Sequence, residues 1–438
     1  MGSDGDRPVV RDASDAVVGS LGSKPLRIAL FGNVANALYE LGLALQAVPD
    51  IDAHLYVSTQ DAPASRPENV DPELQGHLPA WVHDGNWITA ATVVAPWRAA
   101  ITRELHTYDL VLVSGPGPIF AQWARRPWCW YVTGADLTVK PFPITFRSWY
   151  STWGHRAGEL VGGMWQRRAA RRVDRMWIQP FAPMIDAARR LRVPSSALSD
   201  RFPPLVVDTD LFRPDREVSS PDDPVLRRML DADFTVFHPS RLVIHDEPRL
   251  RRTGQWKGND VLVRGFARLV ASGRVERPLL VMPDSTLSRD LDEVKALVDD
   301  LGIGEQVLWA PPPAADGFPR QAMVDLYLAS DVVADEFGVG WYGYVTLEAL
   351  AVGRPVVSYV DAAVMARLYP DGHPIVSART ESEVAEALVA LALDGQRRRD
   401  LGTRGRTWVV DHHSPGRVRG RYVDGVRELV SELGSTGS

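Results

Sequence analysis

Residues 332–359 read VVADEFGVGWYGYVTLEALAVGRPVVSY. An apolar triplet, Val332 to Ala334, runs into the paired acids Asp335 and Glu336 and then a loop carrying Gly338, Gly340 and Gly343. A helical pattern follows at 344–352, and Pro355 to Tyr359 is a second apolar run. Strand, loop, helix, strand is a βαβ unit, whose two strands pair in parallel through a right-handed crossover. Backbone amides of such a loop suit phosphate or sugar oxygens. Glu348, at the start of the helix, either accepts hydrogen bonds from a ribose diol or complements the helix dipole as a first-turn acid.

The same alternation extends in both directions. Phe234 to Phe237, Leu279 to Met282 and Val307 to Trp309 read as further strands. Helical segments near 258–271, 287–300, 320–329 and 380–393 separate or follow them. An earlier series comprises Leu26 to Phe31, His54 to Val57, Leu110 to Val113, Trp128 to Val132 and Met176 to Ile178. Runs this apolar suit a parallel sheet buried on both faces. The expected fold is α/β, with two Rossmann-like, doubly wound domains facing across a cleft. They are placed at 25–205 and 215–410, joined by a Pro-rich linker at 206–214. Residues 1–24 and 432–438 read as loose tails, and a helical segment in 411–438 is expected to pack back on the first domain. Ligands of doubly wound sheets bind beyond the carboxyl ends of the strands. Two such sheets would therefore place the site in the cleft and suit an enzyme that closes on two substrates.

Composition narrows the function class. The chain has 438 residues, is 45% hydrophobic and 24% charged, and carries a net charge of −6. These values exclude disordered, collagen-like and disulfide-scaffold classes and argue against nucleic acid as a partner. The single cysteine, Cys129, excludes an internal disulfide and a Cys-rich metal site. No apolar run is long enough for a membrane span, and Met1 to Asp15 is too acidic and polar for a signal peptide, so a cytoplasmic protein is expected. Arginines number 45 against four lysines, a bias expected from GC-rich coding. A lysine retained in such a chain stands out, and Lys257 is the one placed where chemistry is expected.

Four segments could carry that chemistry. Gly32-Asn33-Val34-Ala35-Asn36 follows the first strand; it either brings backbone amides to an anion or is a plain tight turn. In Thr133-Gly134-Ala135-Asp136, Asp136 either points into the cleft or caps a helix. Arg241, in Phe237-His238-Pro239-Ser240-Arg241-Leu242, and Lys257, in Trp256-Lys257-Gly258-Asn259-Asp260, could together grip a diphosphate. The glycine loop quoted above is the fourth.

The order of these motifs resembles the GT-B glycosyltransferases of family 4. Those enzymes carry an Arg, then Lys-Gly, then Glu-x7-Glu leading into Ala-Leu-Ala-x-Gly-x-Pro-Val-Val. Here these are Arg241, Lys257-Gly258 and the segment from Glu348 to Val357. The connector from Val207 to Pro214 resembles the family's interdomain segment. The resemblance implies a retaining transferase that moves a sugar from a nucleoside-diphosphate donor to a small-molecule or lipid-linked acceptor, with no tightly bound cofactor. By it, Arg241 and Lys257 hold the pyrophosphate, Glu348 binds the ribose, and the amides of Gly343, Tyr344 and Val345 contact diphosphate or sugar. Gly32 and Asn33 lie beside the reacting centre, and Asp136 beside the sugar or acceptor. Eight residues before Glu348 stands Gly340 where the family has Glu, so Glu336 or Asp335 is expected to substitute from a longer loop. Residues 242–256 form an insert between Arg241 and Lys257, a candidate lid. Near Asp136, Tyr131 and Thr133 stand where the family often has His.

No metal site is expected. Asp208-Thr209-Asp210 lies in the connector, and His245-Asp246-Glu247 and His412-His413 read as loop residues. Residues 147–192 hold ten arginines against three acids, with Trp149, Tyr150, Trp153 and Trp165 nearby. Such a stretch is either a solvated helix or a peripheral contact with an anionic membrane. Two other functions remain open: a sugar-nucleotide epimerase of similar architecture, and a non-catalytic nucleotide-sugar binding protein.

Overall fold

Twelve parallel strands form two sheets of six in the computed structural model, which describes residues 24–142, 153–199, 204–313 and 317–435. The first sheet holds β1 (Leu26–Phe31), β2 (Ile51–Ser58), β3 (Val82–Gly85), β4 (Leu110–Val113), β5 (Trp128–Tyr131) and β6 (Arg175–Trp177) in the order β3-β2-β1-β4-β5-β6. The second holds β7 (Phe234–Phe237), β8 (Pro278–Pro283), β9 (Val307–Ala310), β10 (Val332–Ala334), β11 (Val356–Ser358) and β12 (Val376–Ser377) in the order β12-β11-β10-β7-β8-β9. Read from the other edge, the second order repeats the first. Each sheet therefore reverses direction once, between β1 and β4 and between β7 and β10. Those two switch points are where a doubly wound sheet opens a crevice for ligand.

Burial explains which strands were legible. β1, β4, β5, β7, β8 and β10 are almost wholly buried, as continuous apolar runs require. The edge strands β3 and β12 were missed. β3 reads Val-His-Asp-Gly with only Val82 buried, and β12 is two residues long. Neither offers an apolar run to read.

The end of the chain returns to the first sheet. The crossover helix Gly395–His413 leads to a closing helix, Pro415–Ser435. Val418, Tyr422, Val426 and Leu429 recur at helical spacing and share a buried cluster with Leu38, Leu41 and Leu45 of the helix Ala37–Gln46. Burying an aliphatic side chain of this size contributes about 1.5–3 kcal/mol. Tyr422 also meets Tyr131 of β5, hydroxyl to hydroxyl at 2.9 Å, and both hydroxyl oxygens lie within reach of the Pro204 carbonyl, at 3.2 and 3.3 Å. The closing helix reaches Ser435, further than the tail expected from 432; the tail residues 1–23 and 436–438 lie outside the described residues.

The connector is clamped against the crossover helix. Val207 N–H donates to the His413 carbonyl at 2.9 Å, and His413 Nδ1 donates to Leu205 O. The Arg406 guanidinium reaches the carbonyls of Thr209, Phe212 and Ala351. Asp208 accepts from the amides of Asp210 and Leu211, so its carboxylate closes a turn.

Candidate active site

The switch point of the second sheet is organised by a buried histidine. His238, directly after β7, is fully buried; its Nδ1–H donates to Ala334 O at the end of β10, which leaves Nε2 to accept from Asn259 Nδ2. Burial drives its pKa down to about 4, so the ring is neutral. Asn259 Oδ1 accepts from Val243 N–H, and its amide also reaches Arg241 O. One asparagine thus ties the Arg241 loop to the start of the helix Asn259–Ala271. Ser240 Oγ and Thr346 Oγ1 donate to opposite oxygens of Asp335, at 2.8 and 2.7 Å. Asp335 therefore fastens the glycine loop to both flanking elements, and its carboxylate is taken.

Glu336 is the acid of the pair that meets a cation rather than neighbouring hydroxyls. Lys257 Nζ pairs with Glu336 Oε1, and the two side chains are 14% and 22% exposed. Burial raises the Glu336 pKa, and the nearby Lys257 and Arg241 charges oppose that rise. The Arg241 guanidinium is exposed and makes no hydrogen bond among the described residues. Two cations and one carboxylate thus meet at the carboxyl ends of β7 and β10. Gly258 holds this junction with a left-handed φ of 67°, and Phe337 N–H donates to Lys257 O at 2.9 Å. A Cβ at Gly338 would stand 2.5 Å from Trp256 O, so the loop can approach Lys257 only through glycine.

Past Gly340 (φ 77°) the loop reaches Gly343, beside which a Cβ would find open space. Gly343 caps the helix Tyr344–Ala351, whose first amides, those of Tyr344 and Val345, have no partner within the helix. Tyr327 O–H donates to Glu348 Oε2 at 3.0 Å. Burial lifts the Glu348 pKa to about 7, against the pull of Tyr327 and Arg320. Arg320 also donates to Val70 O and lies 3.6 Å from Asp208 Oδ2. Its charge acts on Glu40 of the first helix as well. Arg320 thus joins the two halves beside Glu348; in the sequence it is one arginine among 45.

The first sheet contributes a tightly built loop. Gly32 has φ 87°, and a Cβ there would stand 2.2 Å from Ser114 O, so β1 and β4 approach at their switch point only through glycine. Ala35 and Asn36 are also left-handed, at φ 50° and 59°. Asn33 is buried: Nδ2 donates to Asn36 Oδ1 and Ser65 O, and Oδ1 accepts from Tyr39 N–H. Its side chain holds the loop. Asp136 is likewise spent, accepting from Trp130 Nε1 and from the amides of Gly115, Thr133, Gly134 and Leu137. It sits within the first turn of the short helix Ala135–Thr138, whose cap is Gly134.

The structure thus brings Arg241, Lys257 and Glu336 together, with Gly340, Gly343, Tyr344, Val345 and Glu348 along the adjoining loop and helix. Gly32, Asn33 and Asp136 shape the opposite switch point, with both polar side chains turned to internal partners. The insert 242–256 forms a helix, Pro248–Thr253, that packs on the helix Ala182–Leu191 of the first half. Beneath it lies a cavity of about 350 Å³, bounded by Phe181, Arg252, Gly338, Tyr359 and Arg379 among others. Phe181 stacks on Trp341 with ring centroids 5.8 Å apart, bridging the halves. The sequence carried no mark of Phe181, Tyr359 or Arg379, which come to line one cavity only in the folded chain.

His245, Asp290 and Glu293 converge with ligand atoms within 4.8 Å of one another. Hydrogen bonding accounts for Asp290, which accepts from the amides of Ile244 and His245 and meets His245 Nδ1 at 3.0 Å. No helix among the described residues is long and apolar enough to cross a membrane. The basic stretch falls on the helix Trp153–Ala170 and its successors; Trp149 and Tyr150 lie outside the described residues.

No family model matches the chain. It is 34% identical over 153 residues to the D-inositol 3-phosphate glycosyltransferase of Nocardia farcinica, covering 34% of this chain and 33% of that protein. It is 28% identical over 264 residues to the GDP-mannose-dependent alpha-(1-6)-phosphatidylinositol monomannoside mannosyltransferase of Mycobacterium tuberculosis, covering 59% and 64%. The chain thus spans about a third of the first relative's length and less than two thirds of the second's. The crystal structure of Anabaena Alr3699/HepE in complex with UDP-glucose superposes with a TM-score of 0.59 at 17% identity, over 92% of this chain and 100% of that one. Sucrose-phosphate synthase from Thermosynechococcus elongatus superposes with a TM-score of 0.58 at 15% identity, over 93% and 100%.

Proposed function

This chain has the GT-B fold and resembles the retaining glycosyltransferases of family 4, and from that premise we propose that it transfers a sugar from a nucleoside-diphosphate donor to an acceptor hydroxyl. The observation that carries the reading is the meeting of Arg241, Lys257 and Glu336 at the β7–β10 switch point. In this reading the donor's diphosphate takes the Arg241 fork and the Lys257 ammonium, and Glu336 is freed to accept from sugar hydroxyls. The amides of Tyr344 and Val345 face the phosphates, and Glu348 accepts from the ribose. The anomeric C1–O bond to the diphosphate breaks as the acceptor oxygen bonds to C1, and two fixed cations stabilise the negative charge that develops on the departing diphosphate. The leaving phosphate oxygen takes the acceptor hydroxyl's proton on the face from which it departed, so configuration is retained. The two cations do the work a metal would do, and the reaction is metal-independent.

The test is thermal stability against UDP-, GDP-, ADP- and dTDP-sugars, with and without EDTA. A ligand at about 100 times its Kd adds roughly 2.7 kcal/mol. One donor is expected to shift the transition, EDTA or not. No shift with any donor overturns the reading. An epimerised nucleotide sugar formed without acceptor favours the epimerase instead.

A lipid-linked acceptor is supported by one face of the first half. Val94, Trp97, Leu160 and Met164 are exposed, and Trp97 packs edge-on against Trp165. Arg167, Arg168, Arg171 and Arg172 continue along the same chain segment. Apolar side chains beside arginines suit an anionic bilayer surface. Co-sedimentation with phosphatidylinositol vesicles that Met164→Glu abolishes is the expected result.

A further inference from the structure

We propose that the cavity beneath the insert helix binds a phosphate group carried by the acceptor, through Arg252 and Arg379. The proposal rests on the transferase reading for the word acceptor, and on the cavity alone for the anion.

The insert is held in place from both sides. Its helix, Pro248–Thr253, packs on the helix Ala182–Leu191 and on the short helix Ala135–Thr138. Gly254, left-handed at φ 68°, ends it where a Cβ would lie 3.5 Å from Pro183. The insert, through Arg251 and Arg252, and the loop Gly338 to Gly340 both line a cavity of about 350 Å³. That volume lies in the range of small-molecule sites.

The charges around the cavity are unequally committed. Arg251 is paired with Asp246 and lies 3.7 Å over the Trp256 ring. Asp361 accepts from the amides of Ala363 and Val364, and Asp186 lies 3.8 Å from Arg190. Glu383 accepts from the amides of Arg379 and Thr380. Arg252 and Arg379 remain: neither guanidinium makes a hydrogen bond or ion pair among the described residues, and Arg379 rests over the Tyr359 ring at 4.8 Å. Arg252 and Arg379 are exposed residues that line the same cavity, the Arg379 charge also acts on Glu383, and guanidinium forks match the tetrahedral oxygens of a phosphate.

Position assigns that phosphate to the acceptor. Gly338, in the cavity lining, is two residues beyond Glu336. The donor's diphosphate already has the Arg241–Lys257 pair. A ligand anchored by its phosphate under the insert presents its hydroxyls toward Glu336, where the sugar is transferred. The carrier is a soluble polyol phosphate or a phospholipid headgroup, and the chemistry recognised is the same.

The experiment uses inorganic phosphate as probe and compares wild type, Lys257→Ala and the double variant Arg252→Ala/Arg379→Ala by thermal shift and calorimetry. Phosphate is expected to bind wild type and Lys257→Ala alike. The double variant is expected to weaken it roughly tenfold or more per guanidinium removed. Loss in Lys257→Ala with retention in the double variant places the anion on the diphosphate grip and overturns the proposal, as does no binding to wild type. The nucleotide-sugar shift, measured alongside, is expected to be unchanged in the double variant. Its absence in wild type would remove the transferase reading and leave the anion site standing. Inositol phosphate and phosphatidylinositol vesicles then separate the carriers, since the double variant loses whichever of them the cavity holds.

Discussion

Lys257 and Glu336, 79 residues apart in the chain, form an ion pair where the loops after β7 and β10 meet, with the exposed Arg241 beside them. The pair keeps an ammonium and a carboxylate half-shielded in the position where a diphosphate and a sugar would compete for them. Removing one charge-stabilising donor of this kind raises a barrier by roughly 2.7–4 kcal/mol. Lys257→Ala and Arg241→Ala are expected to lose a hundredfold or more in kcat while keeping the wild-type circular dichroism spectrum. Near-normal turnover in either variant removes it from the reaction.

Glu348 supplies a pH dependence whose sign is determinate. Its folded pKa of about 7 lies above the ordinary 4.5. Between those values the folded chain keeps a proton that the unfolded chain has released. Stability therefore falls as pH rises from about 4.5 to 7, then levels. In the proposed reading the ribose diol donates to the ionised Glu348 carboxylate, so donor affinity is expected to rise through pH 7. Glu348→Gln keeps the Tyr327 hydrogen bond and should flatten both profiles; donor titrations at pH 6 and 8 check this.

Asn259 carries the neutral His238 ring and the Val243 amide at once. Asn259→Ala leaves both without partners, at about 1–3 kcal/mol for each buried group. The melting temperature should drop, and the donor KM should rise because the Arg241 loop loses its tether. An unchanged KM in a folded variant would separate the tether from the site.

Asp136 tests whether a carboxylate at a strand end serves substrate or scaffold. Its oxygens accept from one indole and four backbone amides. Asn in its place turns an amide donor toward other donors, destabilising by roughly 1–3 kcal/mol for each left unpaired. Asp136→Asn is expected to lower stability and leave the donor Kd within twofold. A selective loss of donor or acceptor binding at unchanged stability would instead put Asp136 against substrate.

Gly32 joins β1 to β4 as closely as Asp335 joins β7 to β10. A side chain at Gly32 meets Ser114 O and also the left-handed penalty of roughly 1–2 kcal/mol. Gly32→Ala should therefore unfold at lower denaturant than wild type, and a chemical-denaturation midpoint measures it.

The sequence determined what is local. Apolar runs of three to six residues marked ten of the strands, because a strand buried on both faces needs no alternation to be seen. Loop glycines and the order of Arg241, Lys257 and Glu348 marked the candidate site, because each stands in a short segment of glycines, charges and apolar runs that can be read without its tertiary partners. The tertiary structure decided what depends on distance across the chain. It pairs Lys257 with Glu336, spends Asp136 and Asn33 on internal hydrogen bonds, and brings Arg320 to Glu348. It also folds the insert onto the first half, and Arg252 and Arg379, 127 residues apart, line one cavity. A carboxylate or guanidinium reads the same in a sequence whether it is committed or free. Only the partners that folding places around it settle which it is.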